Sequence, residues 1–180
     1  MGALIKRMLI VAALLAAASA LGQGDRALEP QIKAAFLYKF GGFVEWPAAA
    51  FARPDTSFSI GVVGADGVAA ELERLVAGRT VQGRSISVQR LKRGEPFTGL
   101  HLLFVGQSET GRLAEILGTA RGQPLLVVTE TEDALTRGSM INFITIDDKV
   151  RFDVALPQAE RGQLRISARL LAVARKVITS

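Results

Sequence analysis

The spacing of apolar and polar residues changes several times along this chain, and each change marks a different kind of segment. From Met8 to Leu21 the residues are almost all apolar, behind Lys6 and Arg7 and running through the small pair Ala18 and Ala20 that frames Ser19. These are the three parts of a secretory signal, with cleavage after Ala20. As a helix the run spans roughly 20 Å, short of the ~30 Å hydrocarbon core, so a cleaved leader is favoured over a permanent anchor. Residues 1–20 are therefore read as a signal peptide and 21–180 as one domain.

Between Glu29 and Val44 the period becomes helical. Ile32, Phe36, Phe40 and Phe43 fall at spacings of four, four and three, the apolar stripe of an amphipathic helix packed on a core. Trp46-Pro47 ends it, because the residue before proline avoids helical angles. Tyr38, Lys39 and Trp46 fall partly off the stripe and are candidates for outside contacts.

From Ser57 onward short apolar runs alternate with polar helical segments, the pattern of a mostly parallel sheet flanked by helices. Strands are predicted at Phe58 to Val63, Ser85 to Leu91, Leu100 to Val105 and Leu125 to Thr129. Helices are predicted at Asp66 to Ala77, with Asp66 as cap, and at Glu109 to Ala120. Ile141 to Ile146 and Val150 to Ala155, joined by Asp147-Asp148-Lys149, predict an antiparallel hairpin. A short turn of helix follows Pro157. A closing helix from Ser167 would bury Leu170, Val173, Ala174 and Val177, with Arg169 and Lys176 along its outer side and Arg161 and Arg165 either continuing that side or preceding the helix. The fold class is thus α/β, a mostly parallel central sheet with a C-terminal antiparallel hairpin and closing helix.

Charge and composition narrow the function. The chain carries a formal charge of +5, and loss of Lys6 and Arg7 with the leader brings it to +3. That is only mildly basic, and an exported chain would rarely meet DNA or RNA, so nucleic acid is a poor partner. The 180 residues contain no cysteine and one histidine. Disulfides and thiol redox control are excluded, and no zinc or copper cluster is expected.

Candidate chemistry is sparse. Gly61-Val62-Val63-Gly64-Ala65-Asp66-Gly67 is a glycine-rich turn into a helix, but its spacing is neither the dinucleotide fingerprint nor a P-loop. In open parallel sheets ligands lie beyond the carboxyl ends of the strands. That places a candidate crevice at Gly64, Asp66, Ser108 and Glu130, where two helix amino termini welcome an anion while Glu130, Glu132 and Asp133 repel one. His101 starts a strand at the opposite edge and reads as structural. Ser139 lacks the second glycine of a nucleophile elbow and has no histidine in reach. Asp147 and Asp148 read as a solvated turn lacking the further oxygens of a calcium site. No catalytic residue, metal or cofactor is assigned, and no enzymatic activity is expected.

Three blocks carry a resemblance. Ala34-Ala35-Phe36-Leu37-Tyr38-Lys39-Phe40 with Trp46-Pro47, then Met140-Ile141-Asn142-Phe143 with Arg151-Phe152, then Leu164-Arg165-Ile166-Ser167-Ala168-Arg169-Leu170-Leu171 resemble the opening and closing blocks of the YfiR family. The resemblance implies a periplasmic α/β protein, often a dimer, that binds the periplasmic region of a membrane-bound diguanylate cyclase and restrains it. Well-known members form disulfides; this chain lacks cysteine, so redox regulation does not carry over. For the partner contact the anchors expected are Phe143, Phe152, Arg165 and Arg169, with core packing as the alternative for the two rings. A small-ligand receptor using the strand-end crevice is the competing function.

Overall fold

A computed structural model of the protein describes residues 28–180; the expected leader and the first residues of the expected domain lie outside them. Helix α1 runs through 28–43 and gives way to the two-residue strand β1, Val44–Glu45. Then follow β2 (Phe58–Val63), α2 (Asp66–Val76), β3 (Thr80–Val81), β4 (Arg84–Leu91) and β5 (Leu102–Val105). A 3-10 stretch, Gln107–Arg112, leads into α3 (Leu113–Ala120), β6 (Leu126–Thr129), α4 (Ala134–Arg137) and the hairpin β7 (Ile141–Ile146) and β8 (Lys149–Ala155). The chain closes with α5 (Leu156–Arg161), β9 (Arg165–Ile166), α6 (Ala168–Leu171) and β10 (Lys176–Ile178).

Eight strands form one sheet in the order β10-β8-β7-β6-β5-β2-β4-β3, while β1 and β9 pair separately. β4, β2, β5, β6 and β7 are mutually parallel. β7 and β8 are antiparallel with Phe143 opposite Phe152. Asp147 and Asp148 take φ of 49° and 57° at the hairpin tip, the left-handed angles a tight hairpin turn demands and Asp tolerates.

From β2 the chain first moves outward to β4 and then back across to β5. Crossovers in opposite directions place their helices on opposite faces, so two apolar clusters form. One joins α1 and α2 to Ile60, Val62, Phe104, Phe143 and Phe152. The other joins α3 to Val63, Leu103, Val105 and Val127. The central strands β5 and β6 are buried on both faces, which explains their unbroken apolar sequence.

Three expectations change. The buried face of α1 is Ala34, Leu37 and Phe40, leading to Val44, whereas Ile32 is 38% exposed. Its first turns overhang the strand ends, where Lys33 rather than Ile32 faces inward. Ala65 is the N-cap of α2 and Asp66 its first helical residue, where a carboxylate still favours the helix dipole. The closing helix is a single turn, α6, capped by the Ser167 side chain accepting from the Leu170 N–H at 3.3 Å. Beyond it the chain enters β10, which pairs in parallel with Asp153 to Ala155 of β8. The open edge of β8 offers a ladder of backbone bonds that outweighs continued helix, and Val173 is left 64% exposed.

Candidate functional site

The point where the strand order reverses lies between β2 and β5, and there the sequence-predicted crevice exists. Gly64, Ser108 and Glu130 line it together with Glu29 and Lys33 of α1; Asp66 is not among its walls. Gly64 sits at φ +70°, and a Cβ there would collide with the Ser108 hydroxyl. A Cβ on Gly106 would likewise strike the Gly64 carbonyl. These glycines serve close approach of the two loops, and Ser108 fastens them by donating to the Gly64 carbonyl at 3.0 Å.

Lys33 occupies the centre. Only 8% exposed, its ammonium pairs with both Glu29 and Glu130. Glu130 also accepts the backbone N–H of Gln107 at 2.8 Å, so the helix amino terminus that would have attracted an anion already has a carboxylate. Burial works against the charge on Lys33, but the hydrogen bonds to Glu130 and then Glu29 outweigh it and raise its pKa above the ordinary lysine value. The hollows on either side, about 250 and 300 Å³, are open to solvent.

Behind Glu130 lies a buried network. Asn142 accepts from the Thr129 hydroxyl at 2.6 Å and from the Thr131 N–H at 3.1 Å. Ser139, fully buried, lies 2.8 Å from the Thr129 hydroxyl and donates to the Ile141 carbonyl at 2.9 Å. Its hydroxyl is a strut between β6 and β7, with no exposed face for a nucleophile.

His101 is at the other end of the sheet, beside the start of β5. The Ser59 N–H donates to Nδ1 at 3.0 Å and Nε2 lies 3.1 Å from the Ala50 carbonyl, which defines a neutral ring protonated at Nε2. Burial depresses its pKa, against the pull of the Ala50 carbonyl. Phe51 stacks on it at 4.4 Å between centroids. Trp46 belongs to the same packing: its Nε1 donates to the His101 carbonyl at 3.1 Å and its ring meets Phe58 edge-on. Tyr38 reaches toward the Thr80 carbonyl, and Lys39 is exposed.

The four partner-contact candidates separate into two kinds. Phe143 and Phe152 are each 2% exposed and pack against Phe36 and Phe40 of α1 at centroid distances of 5.1–6.0 Å. In this fold they are core residues, because the hairpin's inner face is the floor on which α1 lies. Arg165 and Arg169 are exposed, on β9 and α6 respectively, and neither forms an ion pair with an acid among the described residues. Arg161, like Arg165, precedes the closing helix, on α5, while Lys176, expected on that helix, lies on β10 instead.

Sequence reasoning missed Lys33 and Asn142. The i, i+4 pair Glu29 and Lys33 was visible, but the decisive contact, to Glu130, spans 97 residues. It also missed the Arg175–Asp153 pair, two-pronged and partly buried, which fastens the approach of β10 to β8.

A family model described as YfiR/HmsC-like matches residues 30–175. The chain belongs to the YfiR/HmsC-like family. The match takes in most of α1, the crevice apart from Glu29, the hairpin, and Arg165 and Arg169. No curated protein matches the chain. Among the described residues no helix is long and apolar enough to cross a membrane, and no group of three or more acidic or histidine side chains is placed to hold a metal ion.

Proposed function

We propose that this YfiR/HmsC-like protein is an exported regulator that works in the periplasm by binding the periplasmic region of a membrane-bound signalling enzyme, a diguanylate cyclase, and holding it inactive. The family match across residues 30–175 carries this reading, and the secretory pattern before Ala20 supports its location. Restraint of this kind is a population shift: the protein binds the inactive state of the sensor more tightly, and biases it by the difference in affinity alone.

The contact surface we assign is the closing segment around Arg165 and Arg169. Both guanidiniums are exposed and without an acidic partner among the described residues, and Val173, four residues after Arg169, is an exposed apolar side chain in the same closing segment. Arginine suits this task because its planar fork of donors engages a carboxylate in two bonds. A stable complex would bury about 1,600 Å² in total, so these residues act as anchors within a wider surface. The competing reading, a small-ligand receptor, has less support because Lys33 and the Gln107 N–H already bind Glu130.

Co-expression with a membrane cyclase encoded nearby, followed by capture and measurement of cyclic diguanylate, tests the proposal. The expected result is co-purification and a fall in cyclic diguanylate. Absence of both for every cyclase tried, with the protein exported and folded, contradicts it. Homodimerisation, implied by the resemblance, is read from the mass of the purified protein in solution.

A further inference from the structure

The sheet has a second feature that the regulatory reading does not use. β3 covers only the first two residues of β4, with Thr80 opposite Ser85 and Val81 opposite Arg84. β2 pairs with β4 on its inner side through Leu91. The outer edge from Ile86 to Leu91 therefore has no backbone partner among the described residues. Unpaired edges of this length template the addition of another strand unless they are blunted by charge, proline or a bulge.

Beside this edge runs a groove of about 430 Å³, with half-buried Ile86 and Val88 as its floor and Val76, Ala77 and Arg79 as its wall. The rim charges are unequal. Glu73 is occupied by Arg90 in a two-pronged pair at 2.8 and 2.6 Å. Arg79 lies over the Tyr38 ring, 5.6 Å from its centroid, and has no acidic partner among the described residues.

We propose that the outer edge of β4 accepts an extended segment of a partner protein, with apolar side chains at alternate positions over Ile86 and Val88 and an acidic residue at Arg79. Main-chain bonds to the edge supply affinity, and the groove and Arg79 select the side chains. A second copy of this chain pairing through its own β4 fits poorly, because β4 contains no acid to meet Arg79.

The test is amide NMR of the isotope-labelled protein with millimolar Glu-Val-Thr-Val-Thr-Val-Glu, alongside the same peptide N-methylated at alternate amides and a lysine-ended version. The expected result is shifts concentrated at Ile86 to Leu91 and at Arg79. Methylation weakens binding by at least about tenfold. Arg79→Glu, an exposed substitution, weakens the glutamate peptide about threefold to fivefold and favours the lysine version. No shift along β4, equal binding of the methylated peptide, or indifference to Arg79→Glu overturns the proposal. Concentration-dependent shifts along β4 without peptide also overturn it, in favour of self-pairing.

Discussion

The crevice at the carboxyl ends of the strands and the closing segment at Arg165 and Arg169 are both rich in charge, yet they differ in whether that charge is already used. In the crevice Lys33, Glu29, Glu130 and the Gln107 N–H satisfy one another. Around α6 the two guanidiniums face water with no acid against them among the described residues. A parallel sheet prescribes a hollow where its strand order reverses, but whether a ligand has anything to bind there depends on what the rest of the chain brings to it. Here α1 lays its own cation across the hollow. Under the proposed function, contact chemistry falls to an exposed surface of this second kind, where charges remain unmatched.

If this contrast is right, substitutions that disturb internal contacts cost stability, and those at the closing segment cost binding alone. The largest effect is expected at the floor beneath α1. Phe152→Ala should destabilise the protein by about 3–5 kcal/mol in urea unfolding, since it removes a ring packed against Phe36 and Phe40 and leaves a cavity.

Lys33→Ala comes next, at about 2–3 kcal/mol, because Glu130 is left without its cation while keeping only the Gln107 N–H. Adding Glu130→Gln should recover part of that loss, which a double-mutant cycle measures. A Lys33→Ala protein as stable as the parent would show the pair to be a surface ornament and remove the contrast.

Acid titration sharpens the internal side further. The folded pKa of His101 lies below its ordinary value, so the unfolded chain binds the proton more readily. Its contribution is present above about pH 6.5 and is lost as pH falls through the folded pKa. Urea midpoints should fall with acid across that window, and less steeply in His101→Gln. The raised pKa of Lys33 acts in the other direction, its stabilisation fading only at strongly alkaline pH, so the ion pair adds no slope near neutrality. The smallest effect on stability, within about 0.5 kcal/mol, is expected for Arg165→Glu and Arg169→Glu.

The fold was readable where local pattern and final environment agree. β2 and β7 match their predicted limits because period and buried length coincide in Phe58–Val63 and Ile141–Ile146. The ending of the chain was not readable. Leu170, Val173, Ala174 and Val177 have helical spacing, but the free edge of β8 recruits Lys176–Ile178 as a strand, and a partner that distant leaves no trace in local spacing. Of the site, Gly64, Ser108 and Glu130 followed from strand ends alone. That its charges would already be matched did not, because Lys33 lies 97 residues from Glu130 in sequence. Phe143 and Phe152 illustrate the same limit: aromatics on a hairpin have one appearance in sequence whether they meet a partner or a helix of their own chain.

The most direct test of unmatched charge at the closing segment is the affinity of the purified protein for the periplasmic domain of the cyclase it is proposed to restrain, compared with the Arg165→Glu, Arg169→Glu double variant. The account predicts that binding is lost while the unfolding midpoint stays at its parent value. Unchanged affinity in a folded double variant would contradict it.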